Sequence, residues 1–152
     1  GYYFNMYKGM PLVREGGVII MTHPTQPDFH PVHHPSYIDF FEQVLADTTD
    51  PHVMSQKWEK QYAEDEWYKH LYRTTYAYHG VHPFYMWYWG SHALQHCSRI
   101  IIVGGDPKTV RRLGFVPAST MDDALEIASD VVGRAPTITH LHAPPLMVAD
   151  VS

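Results

Sequence analysis

Two short, unbroken apolar runs constrain this chain more than anything else in it. Gly16-Gly17 leads into Val18-Ile19-Ile20-Met21, and Ile100-Ile101-Ile102-Val103 leads into Gly104-Gly105. Four apolar residues in a row, mostly β-branched and bounded by glycine, read as a strand buried on both faces. Such strands belong to parallel sheets covered by helices. After the second run, Asp106-Pro107 reads as an N-cap followed by proline at the first helical position, and that short helix ends at Leu113-Gly114. Thr120-x-x-Asp123 reads as a capping box for a further helix. Its stripe is Met121, Ala124, Leu125, Ala128, Val131 and Val132, and Gly133 closes it. Thr137 to Leu141 is a third strand candidate.

The expected fold is therefore α/β: a small three-layer sandwich around a mostly parallel sheet of three or four strands, with residues 1–152 as one domain. A chain of 152 residues can bury enough surface to fold without disulfides or metals. The expected core is Val18, Ile19, Ile20, Ile100, Ile101, Ile102 and Val103. Phe41, Val44, Leu45, Leu125 and Ala128 are expected to cover it.

The middle of the chain has a different character. Of 21 aromatic residues, 20 lie within residues 2–89 and only Phe115 lies beyond. Pro24, Pro27, Pro31 and Pro35 make the segment after the first run a loop. Ser36-x-x-Asp39 resembles a capping box for a helix carrying Tyr37, Phe40, Phe41, Val44 and Leu45, ending near Asp47. Residues 54–78 read as one longer helix. It has a Met54–Trp58–Tyr62 row and a Tyr68–Tyr72–Tyr76 row, an Asp65–Lys69 pair, and a stop at Gly80 and Pro83. His82 to Trp89 takes no clear assignment.

Composition excludes several classes. Hydrophobic residues make up 45% and charged residues 18%, which is not a disordered composition. No apolar run reaches the ~18–20 residues of a membrane span. A net charge of −5 argues against nucleic acid as a partner. Cys97 is the lone cysteine and can make no internal disulfide, so a cytoplasmic setting is expected. The twelve histidines would carry the net charge from −5 to +7 if all were protonated.

Candidate chemistry is thin. His30, His33 and His34, with His23 upstream, are good ligand types for zinc, nickel or copper. They match no established zinc signature. They follow the carboxyl end of a strand, where open parallel sheets place ligands. The plainer reading is solvated or hydrogen-bonded loop histidines. His92 and His96 stand one helical turn apart. Gly104-Gly105-Asp106 joins a strand to a helix N-terminus, but Asp106 would repel phosphate, so a tight turn fits better. Cys97 has no catalytic motif around it and reads as a buried structural thiol. Lys8, in Asn5-Met6-Tyr7-Lys8-Gly9-Met10, is either a solvated lysine or a cation for a carboxylate or phosphate.

Four segments taken together carry a resemblance. YKGM, GGVIIM, SRIIIVGG and LGFVPASTMDDALEIA occur in that order, and the chain resembles the C-terminal domain of nickel-dependent lactate racemases. The matching stretches lie toward both ends; the aromatic middle is not matched. The resemblance implies the C-terminal domain of a larger two-domain enzyme, and Gly1 in place of a starting Met fits that expectation. It implies that the N-terminal domain is the partner and holds a nickel-pincer nucleotide, the catalytic histidines and the cofactor-anchoring lysine. No cofactor is then expected on this fragment, and no metal-ligating or catalytic residue. The implied substrate is a small 2-hydroxy acid, racemised through hydride transfer and a planar 2-keto acid. Lys8 matches the family's substrate-facing lysine, and Asn5 stands where a glutamine is expected. The His30–His34 loop departs from the family's Gly-rich acidic stretch, which marks a divergent member. Two other classes fit the residues: a histidine-rich metal-binding module, and a noncatalytic α/β interaction domain that presents its aromatic face.

Overall fold

The computed structural model describes residues 11–142. Contacts within the chain gather into two compact units. One comprises the segments up to Gln26 and from His92 onward, and the other is Pro27–Ser91.

The first unit is built on a parallel sheet. Strand β1 is Val18–Thr22. A run of helices follows in sequence before β2, Arg99–Val103. Helix α7 is Pro107–Arg112, β3 is Val116–Ala118 and α8 is Met121–Val132. The strand order is β1-β2-β3, with Ile20 opposite Ile101 and Ile101 opposite Val116. Alternation along the strands divides the side chains between two faces. Ile19, Met21, Ile100 and Ile102 pack with Ala93, Leu94 and Cys97 of the preceding helical segment and with Val110 of α7. Val18, Ile20, Ile101 and Val103 pack with Ala124, Ile127, Ala128 and Val132 of α8. Helix, sheet and helix therefore form three layers, the α/β architecture that the two apolar runs predict.

Three sequence expectations change here. The third strand is Val116–Ala118, while Thr137 to Leu141 is not a strand. Pro117 carries no N–H, and proline is tolerated at a sheet edge; β3 pairs only with β2. Val18, Ile19 and Ile20 are half-buried, because β1 is the other edge of the sheet. Ile101, on the central strand, is fully buried. Leu125 is 41% exposed, because the inward stripe of α8 runs through Ala124, Ile127, Ala128 and Val132.

The caps of this unit behave as their residues require. The Asp106 carboxylate accepts from the Thr109 backbone N–H at 2.7 Å, with Pro107 at the first turn. Thr120 and Asp123 form a reciprocal capping box. Gly133 follows α8 at φ +81°, a conformation that glycine adopts without penalty.

The Pro27–Ser91 unit is helical. Helix α1, Pro35–Asp39, passes through a π-helical turn at Phe40–Val44 into α2, Leu45–Asp47. Asp50 caps α3, Pro51–Met54, which continues through a second π-helical turn, Ser55–Glu59, into α4, Lys60–Glu64. Helix α5 is Glu66–Thr74, and α6, His82–His96, leads out of the unit. Phe40, Phe41, Val44, Leu45, Met54, Tyr62, Tyr68 and Phe84 are buried. Phe84 meets Phe40 and Tyr62 edge to face, with ring centroids 4.9 and 5.0 Å apart.

The expected single helix over 54–78 is instead interrupted at Asp65. Its backbone is extended, and its carboxylate accepts from the Tyr68 N–H at 2.9 Å, starting a new helix. Lys69 consequently pairs with Glu66 at 2.9 Å rather than with Asp65. Tyr72 and Tyr76, expected to continue the Tyr68 row, are 53% and 84% exposed. Ser36 is not a cap: it lies inside α1, fully buried, and its hydroxyl has no hydrogen-bond partner. Gly80 does not stop a helix either. A Cβ there would come within 2.6 Å of the Tyr62 carbonyl oxygen, so it is a point of close approach. His82 to Trp89, unassigned from sequence, opens α6.

Candidate functional site

His30, His33 and His34 come together in the Pro27–Ser91 unit. The turn that holds them precedes α1, and its N–H and C=O groups bond internally: His34 N–H donates to the His30 carbonyl at 2.8 Å. Prolines 27 and 31 forbid regular structure here and limit the conformations the turn can take, while Pro35 opens α1. The His30 and His33 rings lie 4.4 Å apart, and the His33 and His34 rings 6.4 Å.

The segment after α5 completes the cluster. His34 stacks on Tyr78 at 5.1 Å, and Tyr78 stacks on His82 at 4.4 Å. Tyr37 packs edge-on to His34 at 4.9 Å. The two segments are also joined by backbone, as Tyr78 N–H donates to the His33 carbonyl at 2.9 Å. Sequence reading missed Tyr37, Tyr76, Tyr78 and His82 as members. Tyr37 stands three residues after His34, but Tyr76, Tyr78 and His82 stand about forty to fifty residues from the histidine turn, and only the density of aromatics and histidines in both segments signals the meeting.

Hydrogen bonds fix what each imidazole can do. His30 Nδ1 accepts from the backbone N–H groups of Val32 and His33, at 3.3 and 3.2 Å. A backbone N–H can only donate, so the His30 proton sits on Nε2 in the neutral ring. The Tyr76 carbonyl lies 3.0 Å from His33 Nδ1 and can only accept, so His33 Nδ1–H donates. That leaves the His33 Nε2 lone pair available for a proton or a single metal bond. Burial lowers the His34 pKa below its ordinary value, as do the nearby His33, His30 and His82; burial also lowers that of His82. Both rings are held neutral near pH 7. Burial, followed by the charge of Tyr78, pushes the Tyr37 phenol up to about 12, so it stays protonated.

The remaining described candidates belong to the other unit. His23 follows β1 in the other unit, and its Nδ1 accepts from the Thr25 N–H at 3.0 Å. His92 is exposed, while His96 Nε2 lies 2.9 Å from the Val13 carbonyl. Gly104-Gly105-Asp106 is a tight turn, and the Asp106 carboxylate is engaged by the hydroxyl and N–H of Thr109, which hold its pKa below the ordinary range. Cys97 is buried in the sheet unit, and burial pushes its thiol up, away from the reactive thiolate. Lys8 and Asn5 lie outside the described residues. Among the described residues, no three His, Cys, Asp or Glu side chains form a metal-ligand group, and no helix is long and apolar enough to cross a membrane.

Comparison with known proteins finds no matching family model, no matching curated protein and no matching solved structure.

Proposed function

We propose that this chain is the C-terminal, substrate-covering domain of a 2-hydroxy-acid racemase or epimerase of the nickel-dependent lactate racemase type. The observation that carries the reading is the location of the resembling segments. GGVIIM contains most of β1, SRIIIVGG spans β2, and LGFVPASTMDDALEIA runs through β3 and into α8. These segments pack as three adjacent strands and the helix on one face, so the resemblance falls on one contiguous layer set rather than on scattered matches.

In this reading the partner is an N-terminal domain of the same protein in the cytoplasm, and a nickel-pincer nucleotide held there supplies the hydride chemistry. This domain's part is to exclude water and fix the substrate. Lys8 offers an ammonium to the carboxylate of the 2-hydroxy acid, with Asn5 beside it in sequence as a hydrogen-bonding group. An ammonium–carboxylate pair in a closed, poorly hydrated cleft is stronger than in water.

The test is steady-state kinetics of lactate racemisation by the protein joined to its native upstream sequence. Lys8→Ala lowers kcat/KM by on the order of 100-fold, about 2.7 kcal/mol. Lys8→Arg recovers part of the loss, since the guanidinium is wider. The 152-residue chain alone is inactive. A Lys8→Ala enzyme within about twofold of wild type removes Lys8 from the site, and a native gene with no racemase-like N-terminal half overturns the whole reading. That last outcome would favour an interaction module, which the exposure of Trp67 and Tyr76, 62% and 84%, supports.

A further inference from the structure

Four imidazoles from two distant segments share the cluster in the helical unit: His30, His33 and His34 in the turn before α1, and His82 at the start of α6. The groups that face them are known from every side. Within the turn, the His33 ring lies against those of His30 and His34. From α1, Tyr37 packs on both His34 and His82, at 4.9 and 5.8 Å. From the segment after α5, Tyr76 packs edge-on to His33 at 6.4 Å, and Tyr78 stacks on both His34 and His82. These partners are phenols. Among the described residues, no ion pair joins any of the four imidazoles to a carboxylate. The α1 carboxylate, Asp39, accepts from Gln43 and Tyr68 instead. A positive charge on one ring therefore meets other imidazoles and no opposing charge.

Two of the rings are committed as acceptors. His30 Nδ1 accepts from the N–H groups of Val32 and His33, which shape the turn. His82 Nδ1 accepts from the Tyr37 hydroxyl at 2.6 Å, which ties α6 to α1. A protonated imidazole has two donors and no acceptor. Backbone N–H groups cannot reverse their role, so a proton on His30 Nδ1 ends both bonds. Tyr37 can accept from a protonated His82 only by turning its own proton elsewhere. Burial opposes charge on His34 and His82 as well. His33 differs: its Nδ1–H already donates to the Tyr76 carbonyl, and Nε2 takes a proton without loss of that bond.

The same groups hold the turn to the segment after α5. Across this contact run the bond from Tyr78 N–H to the His33 carbonyl, the bond from His33 to Tyr76, and the His34–Tyr78–His82 stack. Phe29, at the head of the turn, lies against Tyr37 and Phe41, with ring centroids 6.3 and 5.5 Å apart. Phe40, Val44, Met54 and Phe84, at the centre of the bundle, are buried and stand outside the cluster.

We propose that this cluster is an acid-released latch: protonation of His30, His34 and His82 detaches the turn from the segment after α5 and uncovers the Tyr37 and Phe41 rings, while the bundle and the sheet stay folded. A rigid cluster and a latch titrate differently. In a rigid cluster each proton raises the cost of the next, so the curve is stretched along the pH axis. In a latch the first protons open the contact, the remaining rings become solvated, and the protons enter together.

The experiment follows the imidazole C–H resonances of the full chain by NMR from about pH 8 to about pH 5. His34 and His82 are expected to titrate with a shared midpoint below about pH 6.5, on a curve steeper than a single-site one. At that midpoint the nuclear Overhauser contact between the His34 and Tyr78 rings is lost and the Tyr78 amide shifts. The methyl resonances of Val44 and Ile101 keep their native positions. His82→Gln retains an acceptor for Tyr37 while removing one proton site, and is expected to make His34 titrate less steeply. Tyr37→Phe removes a bond of the closed state, and is expected to raise the midpoint by about half a pH unit. Separate midpoints for His34 and His82, a curve no steeper than a single-site one, a His34–Tyr78 contact that survives at about pH 5, loss of the native Val44 and Ile101 resonances at the same midpoint, or an unmoved midpoint in Tyr37→Phe would each overturn the proposal.

Discussion

The Tyr37 hydroxyl lies 2.6 Å from His82 Nδ1, across 45 residues of sequence. This bond joins α1 to the start of α6, and each partner's ionisation is displaced in the direction that preserves it. The phenol stays protonated and the imidazole stays neutral. A neutral imidazole offers Nδ1 as an acceptor; a protonated one cannot.

The pH dependence of stability follows from this. His34 and His82 have folded pKa values below the ordinary one. As pH falls through about 6.5, the unfolded chain takes up protons that the folded chain refuses, so unfolding binds protons and stability drops. Above about pH 7.5 these two groups contribute no slope. Urea unfolding at about pH 8 and pH 5.5 should show the loss, and His34→Gln should shrink it. Equal stability at both pH values would contradict the assignment.

The central strand should be the most sensitive position of the sheet unit. Ile101 is fully buried: it pairs with Ile20 on one side and Val116 on the other, and packs against Ala124 and Ala128. Ile101→Ala should cost about 2–5 kcal/mol in equilibrium unfolding. A loss below about 1 kcal/mol would mean that the site collapses around the smaller side chain.

Two hydroxyls that look alike in sequence should respond oppositely. Thr120 accepts from the Asp123 N–H at 3.1 Å, and Thr120→Ala should cost about 1 kcal/mol. The Ser36 hydroxyl is buried without a partner, so Ser36→Ala should be neutral or stabilising. Thermal unfolding of the two variants checks both signs.

Gly80 should resist substitution on steric grounds alone. A methyl group would meet the Tyr62 carbonyl oxygen at 2.6 Å and Tyr68 Cβ at 3.0 Å. Gly80→Ala should destabilise by about 1–3 kcal/mol, measured by urea unfolding. The gain expected when glycine is replaced in an open turn should not appear.

Local signals carried the sheet unit well. The runs at Val18–Met21 and Ile100–Val103, the Asp106-Pro107 cap and the Thr120/Asp123 box each report on neighbours a few residues away. The third strand was less legible because Val116-Pro117-Ala118 is short and contains proline, whereas Thr137 to Leu141 alternates like a strand. In the helical unit, the spacing of Asp65 and Lys69 suggests a charge pair, whereas Asp65 serves as a helix cap. The histidine cluster was only half visible. His30, His33 and His34 stand together in sequence, but their partners arrive from the segment after α5. Part of the histidine excess also has a local use that composition does not show. His23, His30 and His79 each turn Nδ1 onto a backbone N–H two residues on, much as asparagine does in turns.

The placement of the helical unit between β1 and β2 bears on the order of assembly. Val18 pairs with Arg99, 81 positions along the chain, whereas Ile101 pairs with Val116 only 15 further on. Loop closure costs more as the intervening segment lengthens, by about 0.6 kcal/mol per doubling. The β2–α7–β3–α8 stretch can therefore nucleate early, and β1 joins its edge late. A destabilising change at Ile19 should then accelerate unfolding with little effect on the refolding rate, while one at Val116 should slow refolding.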